Sequence, residues 1–391
     1  SNRKASHYGT SGTSLVRIMA SSQPHVLILG IRGLPARHGG FETFAQKLAL
    51  YLVARGWKVT VYCQVETPDA QPALTTDMWR GIHRVNIAVK RTGAAATIEF
   101  DWLSLRHAAK QDGVCLVLGY NTAAFLPVLR MAGRPVQAWF YANEWLGAQL
   151  GTRIVADHPA IAERMAARRR ESDIVMIPYG GEEVLSATAA PLEPYDLKPG
   201  NYLVSIARIE PDNNILPIVK AFSRRQRNAR LVVLGTMDRS NAYHREVKAS
   251  ASSEVSFPGP IYETQTVQSL RFHARAYCHG HMVGGTNPSL VESLWCGNAV
   301  LAHRNPFNTW TAGAEQFYFD DESSCDLAIQ QILTDDLAVA RASRAARERA
   351  ATSFRWDSIL AAYEKEIGGL GGYAATVSGA HVMGKFAKRG L

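Results

Sequence analysis

The sequence predicts an α/β protein of two domains, each built around a parallel sheet. The chain has 391 residues, of which 47% are apolar and 20% are charged. It is therefore too long for one ordinary hydrophobic core and too apolar for a disordered chain. In both halves, short continuous apolar runs alternate with segments of helical periodicity, and a proline-rich stretch separates the halves.

The first half opens with a strand, a glycine-containing loop and a helix. From His25 the chain reads HVLILG, an apolar run typical of a parallel strand that is buried on both faces. After the loop IRGLPARHGG, apolar residues recur with helical spacing from Phe41 to Leu52, and Gly56 marks the helix end. The strand KVTVY completes a βαβ unit, and further apolar runs follow it: RVNIAV, VCLVLG, VQAWF and DIVMIP.

The second half repeats this alternation after residues 186–200, which contain three prolines and are predicted to link the domains. The predicted strands cover residues 202–206, 231–235, 254–257, 276–278 and 299–302. The predicted helices cover residues 214–223, 264–273 and 289–296. Two Rossmann-like domains should therefore face each other, and ligands of such sheets bind beyond the carboxyl ends of the strands.

The predicted boundaries follow from these patterns. A flexible leader covers residues 1–24, the first domain residues 25–190, the second domain residues 200–352, a last helix residues 353–367, and a flexible glycine-rich tail residues 368–391.

Composition narrows the functional classes. A net charge of +9 suits phosphorylated ligands, an anionic membrane surface or nucleic acid, but the chain has no helix-turn-helix or RRM signature. The five cysteines are scattered without CxxC spacing, which argues against a disulfide scaffold and a structural zinc site and favours a reducing cytosol. No apolar stretch approaches the length of a membrane span, so membrane contact should be peripheral.

The strongest local signal is the segment HGHMVGGTNPSLVESLWCGNAVLAHRNPFN, residues 279–308. Gly284 and Gly285 permit close backbone approach, and free helix amides near Ser289 would point at a diphosphate. Glu292, one turn into the helix, could accept two hydrogen bonds from the diol of a ribose. A plain helix-capping loop remains the alternative reading of this pattern.

Two further groups of residues are candidates for the site. His279 and His281 could face one side of an extended segment, but no third ligand is spaced to complete a metal site, so contact with a diphosphate or sugar is favoured. A satisfied core histidine is the alternative. The loop before the first helix contains neither GxGxxG nor GxxxxGK[ST], which argues against dinucleotide and P-loop sites. This loop should close over the donor or line the acceptor groove, and its candidate residues are Arg32, Arg37, His38, Gly39 and Gly40. Asn121 follows another strand end and is a candidate sugar contact.

Three segments in this order resemble the bacterial rhamnosyltransferases of glycosyltransferase family four. They read GIRGLPARHGGFETFAQKLALYLVARGWKVTVYC, SIARIEPDNNILPIVKAF and VGGTNPSLVESLWCGNAVLAHRNPF. The resemblance runs from His25 to Ile367 and implies a GT-B fold, in which the second domain holds most of the donor. It also implies transfer of rhamnose from dTDP-rhamnose during capsule, exopolysaccharide or O-antigen assembly.

The resemblance assigns roles by position. Glu292 matches the glutamate that binds the donor ribose, and Arg208 matches the arginine that neutralises the diphosphate. Arg208 and His281 are accordingly the predicted catalytic residues. The predicted donor-binding residues are Gly284, Gly285, Thr286, Asn287, Pro288, Ser289, Leu290, Glu292, Asn213, Gly39 and Gly40.

The chain also departs from the wider family. Asn213 stands where a lysine is usual, and Gly284 stands where a glutamate holds donor sugar hydroxyls, although the rhamnosyltransferase subgroup resembles this chain in having glycine there. On the acceptor side, where Arg32, His38, Asn121 and Glu144 are the candidates, the segment WFYANEW has Tyr141 in place of an expected acid. The stretch that follows it is shorter than the family pattern.

The expected protein is therefore a retaining glycosyltransferase that needs no metal or other cofactor. Its partners would be a nucleotide sugar, a saccharide or lipid-linked saccharide acceptor and an anionic membrane surface, with no nucleic acid. It would be cytoplasmic, or peripheral on the inner membrane face. The alternatives are a nucleotide-sugar-binding protein without efficient turnover and a transferase of another nucleotide sugar.

Overall fold

The computed structural model describes residues 23–36, 39–66, 74–119, 125–140 and 151–373, with backbone alone for residues 137–140. Two sheets divide these residues, one of eight strands and one of six. Of the leader predicted over residues 1–24, residues 1–22 lie outside the described part of the chain. Residues 374–391 of the predicted tail also lie outside it.

The first domain carries the eight-stranded sheet, in the order β3-β4-β2-β1-β5-β6-β7-β8. Its strands are β1 (His25–Leu29), β2 (Lys58–Glu66), β3 (Leu74–Trp79), β4 (Ile82–Val89), β5 (Val114–Leu118), β6 (Val136–Phe140), β7 (Arg153–Ala156) and β8 (Ile174–Met176). Its helices are α1 (Gly40–Ala54), α2 (Gly93–Ala108), α3 (Leu126–Met131) and α4 (Pro159–Ala166).

The second domain carries the six-stranded parallel sheet, in the order β11-β10-β9-β12-β13-β14. Its strands are β9 (Tyr202–Ile206), β10 (Arg230–Leu234), β11 (Val255–Ser256), β12 (Ala276–His279), β13 (Ala299–His303) and β14 (Phe317–Phe319). Its helices are α5 (Ile215–Ser223), α6 (Ala242–Ala249), α7 (Thr264–Phe272), α8 (Pro288–Trp295), α9 (Pro306–Ala312), α10 (Glu322–Thr334) and α11 (Asp336–Ser353).

The central strands are buried on both faces, as their apolar runs predict. All five residues of β1 and all five of β5 are buried, and β1 pairs in parallel with both β2 and β5. Helix α1 covers one face of this sheet because Phe44, Leu48 and Leu52 recur on its inner side and are fully buried. The alternating strand β3 differs from its neighbours, since it pairs antiparallel with β4 and has a largely exposed face.

The chain crosses between the sheets earlier than the predicted linker. Gly181 donates its backbone amide to the Phe354 carbonyl at 2.8 Å, where the chain passes from one sheet to the other and back. Residues 186–200 instead pack on the second domain, with a short 3₁₀ helix at Ala190–Tyr195 and with Leu192 and Leu197 buried. These leucines hold the proline-rich segment against the core, so it is no free linker.

The last helix, α12 (Trp356–Gly371), returns to the first domain. Its Tyr363 ring packs 4.6 Å from the Phe44 ring of α1. Its buried Glu364 accepts a hydrogen bond from Trp57 Nε1 at 3.1 Å and pairs with Arg55 at 2.6 Å. The helix ends beyond residue 367, so residues 368–371, which the sequence analysis assigns to the tail, are helical. Among the described helices, none is long and apolar enough to span a membrane.

Candidate functional site

A cleft between the domains contains two adjoining cavities, of about 790 Å³ and about 690 Å³. Both are lined by Gly40 and Tyr179 from the first domain and by Arg208 and Pro288 from the second. The cavities lie beyond the carboxyl ends of the strands, since Arg208 follows β9 and Pro288 follows β12. This is the location expected for a ligand of two facing parallel sheets.

Helix α8 begins at the junction of the cavities. Asn287 caps it by accepting a hydrogen bond from the Ser289 backbone amide at 3.0 Å, and Pro288 occupies the first turn. The amides at this helix end carry partial positive charge, which suits a phosphate group. Gly284, Gly285 and Leu290 do not line either cavity, and the fully buried Leu290 side chain packs in the core of the second domain.

Glu292 lies in the first cavity, as its position predicts, but it has a partner that the sequence did not reveal. Its Oε2 lies 2.7 Å from the Arg271 guanidinium, and the glutamate side chain is 43% exposed while that of Arg271 is only 7% exposed. Arg271 also donates to Ser289 Oγ at 2.9 Å. The arginine thus fixes both the carboxylate and the helix start. No sequence signal marks it, because it comes from α7.

Arg208 lies where the two cavities join, and its side chain is only weakly held in place. Its side chain is 77% exposed and pairs with Glu210 at 3.0 Å. An exposed pair of this kind contributes little to stability, and its guanidinium can exchange Glu210 for the oxygens of a bound diphosphate. The structure therefore places Arg208 between the two cavities.

Asn213 and His281 are hydrogen-bonded to each other in the second cavity. The buried Asn213 amide donates to the Arg208 carbonyl at 2.8 Å, so its oxygen faces His281 Nδ1, 2.5 Å away. His281 must then donate from Nδ1, which leaves Nε2 as an acceptor in the neutral ring. Burial lowers the pKa of His281, and the Arg208 charge lowers it further. Asn213 therefore acts here by positioning this histidine and the loop of Arg208.

His279 is a buried neutral histidine. It is 5% exposed, and its ring stacks on Tyr277 with centroids 5.9 Å apart. Burial lowers the pKa of His279 to about 3, so the ring carries no charge near neutral pH. Within the described ranges, no group of three or more His, Cys, Asp or Glu side chains is arranged to hold a metal ion.

The start of helix α1 faces the start of α8 across the cleft. Gly39 has φ +106°, and a Cβ on Gly40 would lie 3.0 Å from the Pro288 ring. Glycine at both positions therefore lets the two helix N-termini approach the same space. The partial positive charges of the two helix N-termini can then act on one anionic ligand.

Of the four predicted acceptor-side residues, the structure describes only Arg32. The exposed Arg32 side chain lines neither cavity, and its backbone amide donates to Glu42 at 3.2 Å. This contact gives Glu42 a role in holding the loop. His38, Asn121 and Glu144 lie outside the described residues, as do Arg37 and Tyr141.

Two acidic residues of the second cavity, Asp157 and Asp212, are absent from the predicted set. Asp157 follows β7, is 1% exposed and lines the cavity, as do His279 and His281. The signal that could have found it is a polar residue directly after an apolar strand, the same rule that selected Asn121.

The comparisons with known proteins agree with this architecture. Residues 195–349 match the family described as Glycosyl transferases group 1, and residues 23–126 match a domain of unknown function. The search of curated proteins found no match.

Solved structures share the fold at low sequence identity. Sucrose-phosphate synthase from Thermosynechococcus elongatus is 17% identical with a TM-score of 0.73, covering 89% of this chain and 99% of its own. HepE from Anabaena, solved with UDP and glucose, is 13% identical with a TM-score of 0.68, covering 89% and 100%. A UDP-forming trehalose-phosphate synthase from Burkholderia xenovorans is 11% identical with a TM-score of 0.67, covering 88% and 100%. The predicted GT-B fold is confirmed, and within it residues 195–349 match a glycosyltransferase group 1 domain.

Proposed function

We propose that this protein is a retaining rhamnosyltransferase that moves rhamnose from dTDP-rhamnose to a saccharide, on a lipid carrier, in surface polysaccharide synthesis. The observation that carries the proposal is the arrangement around the α8 N-terminus, where Glu292, Arg208 and the first residues of α8 line one cleft. The sequence resemblance to the rhamnosyltransferase subgroup supports the choice of sugar.

The donor would extend through both cavities. Its nucleoside fits the first, where the Glu292 carboxylate can accept a hydrogen bond from the 3′-hydroxyl of the deoxyribose, since dTDP lacks the ribose diol expected from the sequence. Its diphosphate fits the junction, between the N-termini of α1 and α8 and beside Arg208. Its sugar then enters the second cavity, with His281 on the wall.

The transfer step needs charge stabilisation more than a protein base. The bond between the anomeric carbon and the diphosphate oxygen breaks as the acceptor oxygen bonds to that carbon on the same face, and the acceptor proton passes to the leaving oxygen. Arg208 and the helix amides stabilise the charge that develops on the diphosphate. His281 Nε2 can accept a hydrogen bond from a sugar hydroxyl.

A donor panel tests the proposal. A 6-deoxy sugar leaves fewer polar groups to satisfy on burial, which suits a loop with Gly284 in place of an acid. In thermal unfolding, dTDP-rhamnose should stabilise the protein more than UDP-glucose or GDP-mannose, by about 2.7 kcal/mol at 100 times its Kd. Stronger stabilisation by either hexose nucleotide would refute the rhamnose assignment. Release of dTDP with an acceptor present separates an enzyme from a binding protein without turnover.

Activity should be independent of divalent metal. In this proposal the diphosphate has Arg208 and two helix N-termini as partners, so its charge can be neutralised without a metal ion. We therefore expect transfer rates with excess EDTA to stay within about twofold of the untreated enzyme. Loss of activity that magnesium or manganese restores would require a different electrostatic mechanism.

Peripheral membrane binding is part of the proposal, and one surface of the first domain supports it. Helix α2 exposes Ile98 and Trp102, which are 53% and 41% accessible, with Arg106 one turn further along. Aromatic and basic side chains on one helix face suit the interface of an anionic bilayer, where each basic residue contributes about 1 kcal/mol.

Vesicle cosedimentation measures this binding. The protein should sediment with phosphatidylglycerol vesicles at low ionic strength and less at high salt, because salt screens the attraction. The double variant Ile98→Glu, Trp102→Glu should weaken binding about tenfold or more, whereas Leu337→Glu, at an exposed apolar site of the second domain, should not. A protein that ignores anionic vesicles at every salt concentration contradicts the proposal.

A further inference from the structure

Asp157 presents a buried carboxyl group to the second cavity. Its side chain follows the last residue of β7 and is 1% exposed. Among the described residues, nothing donates a hydrogen bond to its Oδ1. A buried carboxyl oxygen without a donor costs free energy, and a ligand in the adjoining cavity could supply the missing hydrogen bond.

The carboxyl group is held against the loop that starts α8. A Cβ on Gly285 would lie 2.0 Å from Asp157 Oδ1, so only glycine permits this approach. The Thr286 hydroxyl donates to the Asp157 backbone carbonyl, which ties the end of β7 to the same loop. The next residue, His158, packs its ring 4.8 Å from Trp310 of α9. A carboxyl group of the first domain is thus fixed beside residues 284–286 of the second.

We propose that Asp157 holds a hydroxyl group of the transferred sugar and so helps to select the donor. Residues 284 and 285 are both glycine, so the loop itself offers no acid at this point, and Asp157 brings one from the opposite domain. This inference rests on the proposed function, because it needs a sugar in the second cavity.

The surroundings of Asp157 suit a polar, uncharged contact. Burial raises the pKa of Asp157 to about 7, although hydrogen bonds from the backbone amides of Asp157 and Thr286 oppose this effect, and His279, which lines the same cavity, is neutral. A carboxyl group that is partly protonated near neutral pH can donate to a sugar oxygen as well as accept from a sugar hydroxyl.

A purely structural role is the competing explanation, since Asp157 touches both domains. The two roles differ in which ligand they affect. A contact that only closes the cleft would alter binding of dTDP and dTDP-rhamnose alike, because the diphosphate itself lies between the domains. A sugar contact alters the sugar gain, which is the factor by which dTDP-rhamnose binds more tightly than dTDP. It is measured as the Kd of dTDP divided by the Kd of dTDP-rhamnose.

Calorimetric titration of dTDP and dTDP-rhamnose into the wild type, Asp157→Asn and Asp157→Ala decides between them. We expect dTDP affinity to stay within about twofold and the sugar gain to fall about tenfold or more in Asp157→Ala, with a smaller fall in the isosteric Asp157→Asn. Asp101→Asn is the matched control, since Asp101 is 2% exposed and has a pKa raised to about 7 but lines neither cavity. Its sugar gain should equal that of the wild type.

The other outcomes are distinguishable. Equal weakening of both ligands in Asp157→Asn assigns the residue to domain closure and overturns the inference, as does an unchanged sugar gain. If the wild type binds UDP-glucose more tightly than UDP but dTDP-rhamnose no more tightly than dTDP, the rhamnose assignment fails. The role of Asp157 is then tested by the ratio of the Kd values of UDP and UDP-glucose. A wild type that binds neither nucleotide diphosphate refutes the proposed function itself. Thermal unfolding checks each variant, and Asp157→Asn decides if Asp157→Ala does not fold.

Discussion

Replacing Glu292 with alanine should weaken binding of dTDP and of dTDP-rhamnose by roughly 2 to 4 kcal/mol, which is about 30-fold to 800-fold in Kd. The reason is that the 3′-hydroxyl of the deoxyribose loses a charged acceptor inside a cleft. Both ligands carry this hydroxyl, so both should weaken equally. This pattern separates Glu292 from Asp157, whose loss should affect the sugar alone. Calorimetric titration measures both affinities.

The ion pair between Glu292 and Arg271 requires a control in this experiment. Alanine at residue 292 leaves the buried Arg271 without its carboxylate, which lowers stability as well as affinity. Glu292→Gln keeps a neutral acceptor for Arg271 and should retain part of the affinity. Glu246→Ala removes a comparable ion pair, 3.0 Å from Lys220 and outside the cleft, and should leave binding unchanged. A change of less than about threefold in Glu292→Ala would mean that the carboxylate does not contact the deoxyribose.

The alternation of buried strands and helices could be predicted because parallel strands covered on both faces need continuous apolar runs. The run HVLILG is such a strand, and every residue of β1 is buried. The linker could not be placed correctly, because three prolines resemble a loop whether or not neighbouring leucines are buried. The burial of Leu192 and Leu197 is decided by the second domain, which is a tertiary effect.

Some parts of the candidate site could also be predicted from the sequence, and others could not. The start of α8 could be predicted because its glycines, proline and capping residue are local in the chain. Arg271 and Asp157 could not, since each reaches the site from a different element and only folding brings it there. The resemblance placed Asn213, at a position where a lysine is usual, among the donor-binding residues. Its contacts with Arg208 and His281 instead follow from the turn that precedes α5.

Arg208→Ala should reduce the transfer rate more than it reduces donor binding. In the unliganded protein the guanidinium is 77% exposed and already paired with Glu210, so exchanging that partner for a diphosphate yields little net binding. As the bond to the sugar breaks, negative charge grows on the leaving diphosphate beside Arg208, and the same contact strengthens. We expect kcat to fall about 100-fold to 1,000-fold, as for loss of one preorganised donor to a developing oxyanion.

The comparison of kcat with dTDP affinity tests this role. Arg208→Lys keeps the charge but not the planar fork, so it should recover part of the rate. Arg304→Ala removes a comparably exposed arginine, 3.2 Å from Asp320 and outside the cleft, and should leave kcat unchanged. A variant Arg208→Ala that loses affinity while kcat stays within about threefold would show that the arginine binds ground state and transition state equally. Stabilisation of the leaving group would then have to come from the amides of α1 and α8 alone.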